Sequence, residues 1–367
     1  MNIAYIVPKL AQKGPVTVAY ELVCQMTAHG HVCTVFYFDE GPDELGFPCE
    51  TRRISWRGGR AADGGTGGLD FNRFDIVHSH GLRSDAYVCL HKPARSHARC
   101  ISTLHNYVFD DLRYQYNRWT AFWAGRAWLA ALRRHDTVVT LSRDALRYYS
   151  RFLPARKLTY AYNTRRLPND TAHGGLQPLT EAEAAEATGF TAESPKPQIS
   201  YLIGVHAELT ARKGIDQLLH VLPQLPDHRL LVIGDGPARA ALERQAAAEG
   251  IADRVRFLGY RPNASRYLPL YDLYALPSRS EGFPLALLEA AAQGVAVVCA
   301  DLPVFEELVT ANEVAFFELE NADSLRAAVL DATARKAELA RNLNARYRAA
   351  FSPEHFYIRY LEIYRQA

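Results

Sequence analysis

The chain has 367 residues, is 48% hydrophobic and 22% charged, and carries a formal net charge of +2. That length suits two ordinary domains, and the mixture is that of a globular protein. So small a net charge gives no bulk argument for nucleic acid, and no run of about 18 apolar residues offers a membrane-spanning helix.

In chain order, "NIAYIV" predicts a strand that begins at the N-terminus, without the basic start and cleavage site of a secretory signal. "VTVAYELVCQMTAHG" predicts a helix ending at Gly30, and "HVCTVFYF", "FDIVHSH", "RCISTLHN" and "DTVVTLS" predict further strands with helical patterns between them. The glycines of Trp56–Asp70 predict a surface loop. Tyr116–His135 is an amphipathic segment holding Trp119, Trp123 and Trp128, with Arg113, Arg118, Arg126, Arg133 and Arg134 in or beside it. Tryptophan with arginine suits a membrane surface, and tryptophan bulk equally suits a packed core. Six scattered cysteines without a CxxC pair predict reduced thiols and a cytoplasmic protein.

The pattern changes from about Thr171 to Pro197, where one short helix sits between glycine- and proline-bearing ends. Alternation then restarts with "QISYLIGVH", "KGIDQLLHVL", "HRLLVIGDG", "ARAALERQAAAEG", "RVRFLGY", "LYDLYALPS" and "GVAVVCA", and "SPEHFYIRYLEIYRQA" closes the chain as a helix with Ser352 as N-cap. Strands buried on both faces between helices predict an α/β protein of two Rossmann-like doubly wound domains facing a central cleft. The first domain spans residues 1–175, a linker 176–197, and the second domain 198–351. Ligands of such sheets bind at the carboxyl ends of the strands, so the motifs there matter most.

"GDGPARA" at Gly234–Ala240 half imitates a dinucleotide fingerprint, but Arg239 stands where its third glycine belongs and the later acid is missing. "ARKGID" places Arg212 and Lys213 at a strand–helix turn suited to phosphate. "SRSEGFPLALLEA", Ser278–Ala290, puts Glu281 and Glu289 on either side of Gly282-Phe283-Pro284. Capping is one reading for Ser280 and Glu281, with Pro284 at the first helical position. Capping is closed to Glu289, which lies inside the helix, where an ordinary solvated face is the alternative. The other reading is that both acids accept from ligand hydroxyls.

These three stretches, with "GHVCTVF" near the N-terminus and the C-terminal helix, resemble the retaining, nucleotide-sugar-dependent glycosyltransferases of family four, the GT-B type that builds bacterial surface glycans. The resemblance covers nearly the whole chain and implies that helix 352–367 crosses back to the first domain. It implies that Glu281, with the backbone of Gly282 and Phe283 and the following Pro284 and Leu285, holds the donor sugar, and that Glu289 accepts from the ribose. Lys213, with Arg212, would neutralise the diphosphate leaving group. Gly236 and the backbone around Phe257 and Leu258 would line the nucleotide. In the first domain "STLHNY" aligns His105 with the family's histidine beside the reacting carbon, with Asn106 next to it. His80 and Asn163 fall on the acceptor side. Gly14 would bring backbone N–H groups to phosphate or acceptor, although Lys13-Gly14 replaces the family's glycine pair.

Two departures stand out. Glu208 occupies the place of an arginine that usually gives a second cation, so either Arg212 supplies that charge or Glu208 turns away. After Asn163, Thr164 replaces the usual glycine and no acid follows. No DxD metal motif is present, so neither metal nor cofactor is expected. The resemblance implies a hexosyl or N-acetylhexosaminyl transferase, with UDP-sugars favoured by the "EGFPLALLEA" form, acting on a glycan or lipid-linked acceptor. It would work in the cytoplasm, with a peripheral contact to the membrane through residues 113–135. A donor-binding protein without turnover and a sugar-nucleotide epimerase are the rival expectations.

Overall fold

The computed structural model describes residues 1–11, 14–40, 45–56, 68–109, 112, 117–165, 178–189 and 200–366. Lys13, Arg113, most of the glycine-rich loop and both ends of the expected linker lie outside these residues. The chain divides into two compact units, one of Met1–Arg165 with Phe351–Ala367 and one of Arg166–Ala350.

The first unit runs β1 (Asn2–Lys9), α1 (Gly14–Ala28), β2 (Val32–Asp39), β3 (Glu50–Arg53), β4 (Ile76–His80), α2 (Leu82–His91), β5 (Arg99–Leu104), α3 (Arg118–Leu132), β6 (Thr137–Thr140), α4 (Arg143–Tyr149) and β7 (Leu158–Tyr160). Its strands are all parallel in the order β3-β2-β1-β4-β5-β6-β7. β1 lies at the reversal of strand order, paired through Tyr5 with Val35 on one side and with His78 on the other. Ile3 to Val7 are fully buried, as a strand covered on both faces requires. β3 escapes the sequence reading because "ETRR" has no apolar face; it is an exposed, charged edge.

The second unit begins with α5 (Glu181–Thr188), whose Thr180 and Glu183 form a reciprocal capping box. It continues through β8 (Tyr201–His206), α6 (Ile215–Val221), β9 (His228–Ile233), α7 (Arg239–Ala248), β10 (Val255–Gly259), β11 (Leu273–Leu276), α8 (Leu285–Gln293), β12 (Ala296–Ala300), α9 (Pro303–Leu308), β13 (Ala315–Phe317), α10 (Ala322–Ala334) and α11 (Lys336–Ala350). The sheet is again parallel, in the order β10-β9-β8-β11-β12-β13. Leu230, Val232, Leu273, Ala275 and Val298 from the strands pack with Leu218, Leu219, Leu242 and Val329 from the helices in one core. Each such buried leucine contributes about 1.5–3 kcal/mol by burial. Strand order reverses between β8 and β11, so their carboxyl ends frame a binding position.

The last helix, α12 (Pro353–Gln366), belongs to the first unit. Ser352 caps it by accepting from the His355 N–H. Phe356, Tyr360, Ile363 and Tyr364 recur at helical spacing and are buried. Tyr364 Oη lies 2.7 Å from His78 Nδ1 and 3.1 Å from Tyr5 Oη, while Tyr360 Oη lies 3.1 Å from Thr103 Oγ1. The helix is thereby stitched to β1, β4 and β5 through buried polar groups.

That stitching fixes the protonation of the histidines beneath it. Burial, reinforced by the nearby His105 and His135, lowers the His78 pKa to about 3. Burial also carries His80 well below its usual value and lowers His135 despite the Asp85 carboxylate. In the unfolded chain each takes up a proton below about pH 6.5. The folded state binds fewer protons through that range, so stability is full above about pH 6.5 and falls as pH drops towards the folded values. The melting temperature is expected to decline between about pH 7 and about pH 5, before ordinary carboxylates titrate. A flat melting temperature over that range in a calorimetric scan would contradict this account.

Candidate functional site

Beyond β8 the chain makes one tight turn, Ala211–Lys213, and enters α6 through Gly214 at φ 66°. A Cβ on Gly214 would lie 1.9 Å from the Pro277 carbonyl oxygen, so only glycine lets this turn approach the loop that follows β11. Lys213 Nζ donates to Glu281 Oε1 at 2.7 Å, and Ser278 Oγ donates to the same oxygen at 2.6 Å. Arg212 Nη1 donates to the Ser280 carbonyl at 2.7 Å and lies 3.5 Å from Glu281 Oε2. Glu281 is 8% exposed. Burial pushes its carboxyl up, but the Lys213 and Arg212 charges and the hydrogen bonds from Lys213 and Ser278 outweigh burial and hold the pKa below its ordinary value.

This arrangement decides the capping question. α8 starts at Leu285 with Pro284 as its cap residue, which makes no side-chain capping bond. Glu281 faces the two cations instead, and Pro284 stands one position earlier than the first helical residue expected for it. Phe283 and Pro284 are buried, while Gly282 and Leu285 are half-buried. Glu289 lies half-buried on the second turn of α8. Burial, then the charges of Glu289 and Glu281, pushes the Tyr274 hydroxyl on β11 up. Gly236 follows β9 and donates its N–H to the Asp235 carboxylate, and Phe257 and Leu258 sit half-buried on edge strand β10. Glu208 is exposed and makes no ion pair among the described residues.

Sequence reading overlooked Ser278, although a hydroxyl three positions before Glu281 was visible. It also overlooked His206, which ends β8 with Nε2 2.6 Å from Tyr271 Oη and a pKa lowered to about 3 by burial. A lone histidine at a strand end gave no signal of that contact.

In the first unit, His105 follows β5 half-buried, with Nε2 3.0 Å from His80 Nδ1. Burial lowers its pKa to about 3, so it is a neutral imidazole near pH 7. His80 is fully buried and reaches outward only through His105; its own Nε2 has no hydrogen-bond partner among the described residues. Asn106 is exposed and its carbonyl accepts from the Tyr149 hydroxyl. Gly14 opens α1 with nothing within 4 Å of where a Cβ would stand. Asn163 is buried, and Thr164 beside it donates to the Phe351 carbonyl at 2.7 Å. Ser79, Asp85 and His135 also meet, but Ser79 donates to Asp85 and all three are fully buried. That is a structural network and not a nucleophilic triad, in which histidine must stand between serine and acid. Among the described residues no group of three or more His, Cys, Asp or Glu is placed to hold a metal ion.

The tryptophan-rich helix divides between its two sequence readings. Trp128 Nε1 donates to buried Asp85 at 2.7 Å, and Ala121, Gly125, Leu129 and Leu132 face the core. Trp119 and Trp123 are 70% and 65% exposed, with Phe122 beside them. No helix among the described residues is long and apolar enough to cross a membrane.

Comparison with known proteins connects these features. Residues 13–164 match the family model described as Glycosyltransferase Family 4, and residues 190–349 match that of Glycosyl transferases group 1. The chain is 30% identical to the O-antigen biosynthesis glycosyltransferase WclY of Escherichia coli, over 99% of this chain and 98% of that one. The lipopolysaccharide core biosynthesis mannosyltransferase LpsB of Rhizobium meliloti is 31% identical over 54% of each chain. Among solved structures, Anabaena Alr3699/HepE in complex with UDP and glucose superposes with a TM-score of 0.79 at 16% identity, covering 100% of both chains. Sucrose-phosphate synthase from Thermosynechococcus elongatus gives 0.77 at 19% identity, covering 100% of this chain and 98% of that one. With both sheets, both family models and a full-length relative in agreement, the chain belongs to glycosyltransferase family 4 and has its GT-B architecture.

Proposed function

We propose that this glycosyltransferase moves a hexose or N-acetylhexosamine from a nucleotide sugar, preferably a UDP-sugar, to a hydroxyl of a glycan or lipid-linked glycan. The setting is bacterial surface polysaccharide assembly, and the anomeric configuration is retained. The observation that carries the reading is the cluster of Arg212, Lys213 and Glu281 at the switch point of the second sheet. WclY and LpsB, named for O-antigen and lipopolysaccharide core synthesis, support the setting, and the HepE complex with UDP supports the donor class.

In this reading the sugar–phosphate bond breaks and negative charge grows on the departing diphosphate, where Lys213 and Arg212 stabilise it. Glu281 and the backbone of Gly282 and Phe283 hold the sugar hydroxyls, Glu289 the ribose, and neutral His105 hydrogen-bonds the sugar or the diphosphate. The acceptor hydroxyl attacks on the face the leaving group vacates and gives its proton to a departing phosphate oxygen. Because two side-chain cations neutralise the leaving group, the scheme calls for no divalent ion.

Glu208 favours one rival, a donor-binding protein that has lost turnover, since a carboxylate near the diphosphate opposes the further negative charge that grows on it as the bond breaks. The exposed face of α3 supports a further part of the reading. Trp119, Phe122 and Trp123 stand out with exposed Arg118, Arg126, Arg133 and Arg134, and the helix contains no acid. Aromatic rings with arginines suit the surface of an anionic bilayer, which would bring the enzyme to lipid-linked acceptors.

Three measurements test this. In calorimetric titration UDP is expected to bind and GDP to bind more weakly, and Glu289→Ala to weaken UDP binding about tenfold or more, the loss of hydrogen bonds to a charged acceptor. Binding of neither nucleotide would remove the donor assignment. Arg212→Ala is expected to cost a similar factor; unchanged affinity would mean that Arg212 does not compensate for Glu208. Finally, the protein should float with phosphatidylglycerol vesicles but not with phosphatidylcholine ones, and lose flotation in Trp119→Ser/Trp123→Ser. Absence of lipid-dependent flotation would remove the membrane contact.

A further inference from the structure

The residue between the two serines of the Glu281 loop has no part in the scheme above. Arg279 is mostly enclosed, and its guanidinium forks onto Asp216, with Nη1 2.9 Å from Oδ1 and Nη2 2.7 Å from Oδ2. Nη1 also donates to the Ala211 carbonyl at 2.6 Å, and Nη2 to Glu320 Oε2 at 3.2 Å. Its backbone N–H donates to the Arg212 carbonyl at 2.8 Å. One side chain thus binds three segments: the turn carrying Arg212 and Lys213, the first turn of α6, and the loop after β13.

The third segment shows a second, separate sign of constraint. Glu320 has φ 62°, a left-handed conformation that a residue other than glycine adopts only under strain. Its N–H donates to Gln217 Oε1 at 3.0 Å, and Gln217 Nε2 donates in turn to the Pro277 carbonyl at 2.9 Å. The ring of contacts therefore closes from Pro277 through Gln217, Glu320 and Arg279 back to the loop that bears Glu281. A strained carboxylate held at this point over-determines where Arg279 stands.

Resting on the donor reading above, we propose that Arg279 is a positioning residue for the nucleotide diphosphate. Its fork onto Asp216 and Glu320 and its bond to the Ala211 carbonyl hold Arg212 and Lys213 against the Glu281 loop, so the cations are set before the donor arrives. Arg279 does not itself contact the donor. Its loss would also leave Asp216 and Glu320 uncompensated, free to draw Lys213 and Arg212 away from the phosphates. Lysine cannot replace it, because an ammonium has no planar fork.

The test compares UDP with UMP by calorimetry in wild type, Arg279→Ala and Arg279→Lys, with melting temperatures alongside. The ratio of UMP to UDP dissociation constants isolates the second phosphate, which a merely structural role would leave unchanged. In folded Arg279→Ala that ratio is expected to fall about tenfold, and Arg279→Lys to restore little of it. An unchanged ratio, or full restoration by lysine, would overturn the proposal. Should the alanine variant fail to fold, Glu320→Gln takes its place, with a smaller fall expected and an unchanged ratio overturning the idea. Failure of wild type to bind UDP or GDP would overturn the donor reading itself, and so is distinct from wild-type binding with an unaltered ratio.

Discussion

The cluster of Arg212, Lys213 and Glu281 in the second domain depends on one close approach of backbone to backbone. Gly214 lies against the Pro277 carbonyl where no Cβ could stand, and its left-handed φ turns the chain into α6. Because of that contact the cations on the preceding turn reach the carboxylate beyond β11. Any side chain at Gly214 would push the two loops apart and separate Glu281 from Lys213 and Arg212, leaving it only Ser278 of its own loop. A buried carboxylate without a cation costs several kcal/mol, so the approach and the ion pairs stand or fall together.

Glu281 is thus held ionised in a place where burial alone would raise its pKa. An ionised carboxylate accepts from sugar hydroxyls, whereas a protonated one would have to give up an acceptor site to donate. The same cations that keep it charged are those available to a diphosphate. Preorganisation of this kind avoids rearranging dipoles at the moment of bond breaking. The first domain uses the opposite device. His105 is deprived of charge by burial and leans on His80, so that it offers a neutral hydrogen-bonding ring. One site built on ionised groups and one on an uncharged imidazole follow from the same rule, that burial disfavours charge unless a partner offsets it.

The long apolar runs were legible in the sequence because strands covered on both faces and helices with one buried stripe leave strong periodic signals. Both sheets, and the loop and helix that carry Glu281 and Glu289, could therefore be placed. β3 left no signal, since its four residues are all exposed, and β13 is only three residues long. The tryptophan-rich helix was ambiguous for a physical reason: Trp128 serves the core through Asp85, while Trp119 and Trp123 serve the surface, and composition cannot divide one helix by face. His80, expected on the acceptor side, ends β4 fully buried, a depth that the strand pattern did not reveal. The contacts of Arg279 were invisible because its partners, Asp216 and Glu320, are brought to it only by the fold.

The charges around the second-domain loops arrange themselves by distance as well as by number. Arg279 is shared by two carboxylates, Asp216 and Glu320, and their surplus negative charge is turned towards α6 and the β13 loop. Arg212 and Lys213 share the single carboxylate of Glu281, leaving a positive excess on that side. With Glu208 exposed and unpaired among the described residues, that local excess is what remains to attract an anion. A chain that carries an acid where a cation is usual can still offer two cations at one turn, provided its other acids are occupied elsewhere. Arg279 occupies Asp216 and Glu320, which ties the strained loop at Glu320 to the charge balance around Arg212, Lys213 and Glu281 although it lies outside the E-x7-E stretch itself.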